Sequence, residues 1–284
     1  MNMTLEFEHV SLADFGPTMS LRISAGQCLT FVGLPRSGKT EMHNAIAGHT
    51  EPIRGEIRRH CPIHIPTPLT PSRRTKVQNL ALAQGSSRDP IDGQRMTEAL
   101  DALGLWGARK LSLADLTPQQ LHAAILLPTL IGYHPVIMLD QILDAFDPLT
   151  LDKTFAVLKK RQSAGATLIL TTHSADVAAH ADLICVLRAK QIHFVGSPID
   201  VIESAGPTIV TVATNRHEAV RALAEPFAIS ITESEEETKF EAADGQALAA
   251  RMLVHGYGDV RYTVIRRPLF RDAFTRLLAQ TVES

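Results

Sequence analysis

The sequence predicts an α/β fold built on a central parallel sheet, followed by a small α+β unit. Three observations carry this. "LTFVG", "VIMLD" and "TLILTTH" are runs short enough for strands and apolar enough to be buried on both faces. The first passes through "GLPRSGKT" into "EMHNAIAG", which has helical spacing, so the local order is strand, glycine-rich turn, helix. After a change of composition near residue 206 the periodicity reads β-α-β-β-α-β, the split βαβ or ferredoxin-like order.

Taken in order, the strand at 29–33 feeds a helix that ends on Gly48. The proline-rich "CPIHIPTPLTPSRR" reads as an irregular connection. Residues 70–131 form a helical subdomain, with "RMTEALDALGLW" and "PQQLHAAILLPTL" its clearest pieces, and Trp106 reads as a core residue at the end of the first. "VIMLD" (Val136–Asp140), "TLILTTH" (Thr167–His173) and "ADLICVL" (Ala181–Leu187) are central strands, and "KQIHFVG" is a hairpin partner for the last. Beyond it "TIVTVAT", "FAISITE", "ETKFEA" and "DVRYTVI" are strands, "RHEAVRALAE" and "GQALAARMLVHG" helices, and "RRPLFRDAFTRLLAQT" a final helical segment. The expected domains are 1–205 and 206–284.

Composition narrows the function classes. Hydrophobic residues make up 45% of the 284, enough for a sizeable core, and the formal charge of -2 gives no electrostatic reason to expect a nucleic-acid partner. Cys28, Cys61 and Cys185 have neither a close pair nor a metal-type spacing, as expected of thiols in a reducing compartment. The first ten residues lack the layout of a secretory signal, and the longest apolar run, "AAILLPTLIG", is too short to span a bilayer and is broken by Pro128. A cytoplasmic protein is expected. His60 and His64 flank Pro62, which denies them the geometry of one helix turn, so they are read as packing or surface residues.

"GLPRSGKT" matches G-x-x-x-x-G-K-[ST] in full. A phosphate chain needs a tight turn of backbone N–H groups at a helix N-terminus, a mobile positive charge and a hydroxyl for magnesium. Gly33 and Gly38 supply the turn that Leu34, Pro35, Arg36 and Ser37 complete, Lys39 the charge and Thr40 the hydroxyl. Such a pattern arises by chance in roughly one chain in a hundred of this length, and the flanking strand and helix cut that further. Asp140 stands at the C-terminal end of its strand, where ligands of open α/β sheets bind, and is placed to share the magnesium with Thr40.

At this point the order of motifs resembles the ATP-binding cassette (ABC) ATPases, the nucleotide-binding subunits of transporters, over roughly residues 3 to 204. "GLPRSGKT" is similar to the Walker A loop, "VIMLD" to the Walker B strand and "TTHS" to the switch-histidine loop, with His173 as its histidine. "AFDP" resembles the loop after Walker B, with Asp147 at its aspartate, and "RGEI" and "FVGSP" are similar to turns the family carries. The resemblance implies a P-loop NTPase fold of ABC type, ATP and magnesium as ligands, and Phe15 as the aromatic that stacks on adenine.

Where this sequence departs from the family, it departs at the chemistry. The signature LSGGQ is "LTPQQ": Thr117 keeps a hydroxyl and Gln120 is retained, but Pro118 has no N–H to offer and Gln119 crowds an approach that glycine permits. Thr67 stands where the Q-loop glutamine belongs, and Arg36 takes a loop position commonly held by glycine. The acid that polarises the attacking water is replaced by Gln141, which can hold a water but cannot take its proton. Several changes clustered in this way fit natural divergence better than a single trapping substitution.

The resemblance implies a subunit that binds Mg-ATP, pairs head-to-tail with a second cassette, identical or a more intact paralogue, and moves transmembrane permease subunits on separate chains. It would sit at the inner face of the membrane through those subunits. The small C-terminal domain and its last helix suggest an exporter-type system, and Gln141 with "LTPQQ" implies weak intrinsic hydrolysis. The rival expectation is a soluble nucleotide-dependent regulator or scaffold that keeps the cassette for binding alone.

Overall fold

The computed structural model describes residues 3–82, 93–204, 208–234, 236–256, 260–266 and 269–280. The junction expected near residue 206 lies outside them. The chain divides into two compact units, Met1–Ser197 and Pro198–Ser284.

The first unit begins with β1 (Met3–Ser11) and β2 (Met19–Ser24), then β3 (Cys28–Val32), α1 (Lys39–Ala47), β4 (Arg54–Arg59) and β5 (Ile63–His64). Helices α2 (Val77–Leu82), α3 (Gly93–Ala102), α4 (Pro118–Ala124) and α5 (Leu127–Ile131) follow. After them come β6 (Val136–Asp140), α6 (Pro148–Ser163), β7 (Thr167–Thr172), α7 (Ala175–Ala178), β8 (Leu183–Arg188) and β9 (Gln191–Gly196). Six strands form one sheet in the order β5-β6-β7-β3-β8-β9, parallel except for β9. Residues of β3 and β7 are all buried, which is why their sequences read as unbroken apolar runs and not as alternations.

A separate antiparallel sheet, β2-β1-β4, shares a core with the larger one. Leu5, Phe7 and Ile57 from the small sheet, Phe31, Met138 and Ile169 from the large one, and Met42 and Ile46 of α1 belong to the same buried cluster. "RGEI" is not a turn: Arg54–Ile57 open β4, paired along β1. Nor is Trp106 a core residue. It is 43% exposed, with Arg109 lying over its ring, because α3 ends at Ala102 and the chain has turned outward by then. The helical run "PQQLHAAILLPTL" is two short helices, α4 and α5, the second with Pro128 in its first turn, where a missing N–H costs nothing.

The second unit contains α8 (Pro198–Ser204), β10 (Thr208–Ala213), α9 (His217–Ala224), β11 (Ala228–Glu233), β12 (Glu237–Ala242), α10 (Gly245–His255), β13 (Tyr262–Arg266) and α11 (Phe270–Gln280). Its four strands are antiparallel in the order β11-β12-β10-β13, and α8 packs on α11. Val210, Val212, Phe240, Leu248 and Met252 form its core.

In the first unit, His64 of β5 and His134, just before β6, stack with ring centroids 3.6 Å apart and planes 11° from parallel. Burial, and then the neighbouring imidazole, push His134 down from 6.5 to about 4. Between those two values the unfolded chain binds a proton that the folded chain does not, so stability falls as pH drops from 6.5 towards 4. Allowing for partial exposure, this residue's share is about 1–3 kcal/mol. His134→Phe, which keeps a ring but removes the titration, is expected to flatten this part of the curve of denaturation midpoint against pH. An unchanged slope would refute the assignment.

Candidate functional site

Three adjacent strands, β6, β7 and β3, deliver their C-terminal ends side by side: Asp140 pairs with Thr171, and Val32 with Thr172. The residues that follow each strand are therefore neighbours. From β3 comes the turn at 33–38, from β6 comes Gln141, and from β7 comes His173. Together Pro35, Arg36, Ser37, Gly38, Lys39, Thr40, Glu41, Gln141 and His173 line a cavity of about 340 Å³.

Gly33 and Gly38 are required by space and by backbone. A Cβ on Gly33 would lie 2.3 Å from Ser37 Oγ and 2.5 Å from the Leu187 carbonyl oxygen. Gly38 has φ +107°, a conformation that side chains rarely adopt. Arg36 sits in the same left-handed region at φ +66°, which explains physically why glycine suits its position. Lys39 is buried and donates from Nζ to the carbonyls of Gly33, at 2.7 Å, and Leu34, at 3.0 Å. Burial pulls its ammonium below the usual range, opposed by the nearby Asp144 and Asp140 carboxylates. Ser37 Oγ is buried without a partner.

These features fit a phosphate chain. The turn is shaped so that only glycine fits, an ammonium is parked on weak local acceptors, and a buried hydroxyl lacks a partner. Thr40 and Asp140 are the residues that would hold magnesium, and Asp140 accepts a hydrogen bond from Thr171 Oγ1. Phe15 lies on the loop after β1 and is 82% exposed. Its loop is tied down by Arg54, which donates to the carbonyls of Ala13 and Gly16, and by Gln191, which donates to the carbonyl of Phe15. Its ring is free to stack on a flat partner.

Gln141 has φ +55° and breaks the chain out of β6, its N–H bonded to the Thr171 carbonyl at 3.0 Å. The tight turn that follows, Ile142–Ala145, brings back a residue that sequence reading missed, Asp144. Asp144 Oδ2 accepts from the His173 backbone N–H at 3.0 Å and lies 2.7 Å from His173 Nδ1, while Oδ1 accepts from Thr172 Oγ1.

The remaining expected residues stand elsewhere. Asp147 caps α6, accepting from Thr150 N at 3.0 Å and Thr150 Oγ1 at 2.6 Å, and the hydroxyl bond in particular holds its carboxyl below the usual range. With Pro118, Gln119, Gln120, His122 and Phe146 it lines a second cavity of about 400 Å³. Thr117 caps α4 in a capping box: its Oγ1 accepts from Gln120 N–H and Gln120 Oε1 accepts from Thr117 N–H. Two backbone donors at the start of α4 are thus occupied within the helix, and Pro118 has none. Thr67 is exposed beyond β5.

A strand-turn-helix phosphate cradle beside an acidic strand end and a histidine, on a sheet of this order, defines a P-loop nucleotide-binding protein. Residues 17–143 match the family profile described as "ABC transporter". The spermidine/putrescine import ATP-binding protein PotA of Pseudomonas fluorescens (strain Pf0-1) is 32% identical over 212 residues, covering 68% of this chain and 58% of PotA. This chain thus spans less than two thirds of that curated relative's length. Among solved structures, an ATP-binding subunit of an ABC transporter superposes with a TM-score of 0.57 at 16% identity, over 70% of this chain and 91% of that one. A dimeric ATP-binding cassette in a post-hydrolysis state with ADP and Pi gives 0.55 at 20% identity, over 68% and 98%. The chain carries the ATP-binding cassette domain of the ABC transporter family.

Proposed function

We propose that this chain is the ATP-binding subunit of an ABC transporter, binding Mg-ATP in the cavity at the ends of β3, β6 and β7 and hydrolysing it slowly by itself. The observation that carries the reading is the convergence of the 33–40 turn with Gln141 and His173 in one cavity. Lys39 and the turn's N–H groups would hold the phosphates, Thr40 and Asp140 the magnesium, and Phe15 the base. Magnesium, when bound, supplies charge neutralisation at the phosphates. Gln141 orients a water without accepting its proton, so the chemical step is slow.

Pairing with a second cassette and coupling to membrane subunits on other chains belong to the same proposal. No helix among the described residues is long and apolar enough to cross a membrane. The exporter expectation rested on the C-terminal unit, whereas PotA is an import protein, and the proposal carries no direction of transport. The closed start of α4 supports the second reading, a nucleotide-dependent regulator. A partner facing Thr117–Gln120 meets a helix end whose own side chains occupy two of its donors.

Calorimetry with Mg-ATP, followed by purification from detergent-solubilised membranes, tests both layers. Lys39→Ala is expected to weaken ATP binding by about a hundredfold, the scale of losing a charge-assisted contact to phosphate. Equal affinity in the variant would remove the phosphate loop from the site. Recovery of a multi-span membrane protein supports the transporter reading, and its absence supports the regulator.

A further inference from the structure

Asp144 has no role in the site as assembled from motifs, yet its carboxylate holds three groups there. It stands in the turn after Gln141, and its side chain is only 6% exposed. One oxygen accepts from the Thr172 hydroxyl and the other serves both the backbone N–H and the ring Nδ1 of His173. The His173 side chain is 59% exposed and lines the phosphate cavity beside Gln141 and Thr40. A carboxylate that only fastened the loop would need the Thr172 hydroxyl and the His173 N–H, and nothing more. The third contact, 2.7 Å to Nδ1, fixes the ring itself. A carboxylate can only accept, so Nδ1 carries the proton. In the neutral ring Nε2 is then a bare acceptor, and it is the one ring nitrogen not already engaged by Asp144.

We propose that Asp144 is the positioning residue of His173, and that the pair accepts the proton of the attacking water, the task Gln141 cannot perform. This rests on the cavity being an Mg-ATP site. The water oxygen forms a bond to the terminal phosphorus as the bond from that phosphorus to the bridging oxygen breaks. The bridging electron pair leaves with ADP. The water proton passes to His173 Nε2, giving an imidazolium whose Nδ1–H remains on Asp144, and the exposed ring then releases a proton to solvent. The logic is that of a histidine held in one tautomer by a buried carboxylate. Slow turnover by this chain would run through that pair.

Asp144→Ala tests it, because it removes the acceptor that keeps the proton on Nδ1, and a free neutral imidazole carries its proton mainly on Nε2. Nitrogen-15 NMR of the histidine rings in the free chain is expected to show His173 protonated at Nδ1, moving to Nε2 in the variant. With ATP, kcat is expected to fall about ten- to a thousandfold while the dissociation constant for Mg-ATP stays within about threefold. In a Gln141→Glu background, where an acid takes over the proton, adding Asp144→Ala is expected to cost less than about threefold in kcat. Equal losses in both backgrounds would make Asp144 a loop fastener and overturn the proposal. So would an Nε2-protonated ring in the wild type, or wild-type hydrolysis no faster than in His173→Ala. Absence of ATP binding in the wild type would strike the nucleotide-site reading and the proton-accepting role with it. The NMR result would then still decide whether Asp144 sets the ring.

Discussion

Gln141→Glu is expected to raise steady-state ATP turnover by about a hundredfold or more, the contribution of a positioned general base. Residue 141 already has what such a base needs. It leaves β6 at φ +55°, anchored by its N–H on Thr171, and it lines the cavity with Lys39, Thr40 and His173. Glutamate has nearly the volume of glutamine, so the change adds a proton acceptor without repacking the wall. Phosphate release at saturating Mg-ATP is the measurement. Unchanged turnover with unchanged ATP affinity would move the defect to the start of α4, where Thr117 and Gln120 consume each other's donors.

Gly33→Ala is expected to abolish nucleotide binding and to destabilise the fold by about 1–3 kcal/mol, the cost of forcing an extra carbon into packed space. The new methyl would meet Ser37 Cβ at 2.7 Å and the Leu187 carbonyl oxygen at 2.5 Å. Ser37 could move, but Leu187 belongs to β8, whose backbone is held in the parallel ladder with β3. Gly33→Ala combined with Ser37→Gly should therefore not recover. A double variant that melts like the wild type and binds ATP would show that the β8 carbonyl yields more readily than its ladder suggests. Thermal denaturation and calorimetry read the two effects separately.

Much of this site was legible in the residues. β3, β6 and β7 are apolar runs that needed only their length to be read as buried strands, and the glycine spacing of 33–40 demands the turn it makes. Less was legible where a residue's role depends on a distant neighbour. β4 exposes most of its polar side chains and buries only Ile57, so it carries no apolar alternation, and it exists because β1 offers it an edge. Trp106 looks like core in a helical run that in fact stops before it. Asp144 is unreadable by spacing alone. Its contacts require β6 and β7 to be adjacent and the chain to fold back within the turn after Gln141. The glycine-free start of α4 was legible as a loss of donors, whereas the reciprocal cap that Thr117 and Gln120 form became visible only with coordinates.

One further bond joins the two cavities. His122 Nε2, on α4, lies 2.8 Å from the carbonyl oxygen of Ile142, which can only accept, so the ring donates to the residue directly after Gln141. In a head-to-tail pair the two cavities of one chain would serve two different nucleotides. This imidazole ties the turn that carries Gln141 to the last turn of α4, so in such a pair a shift of that turn would be handed on to the wall of the second cavity like a tug on a tether.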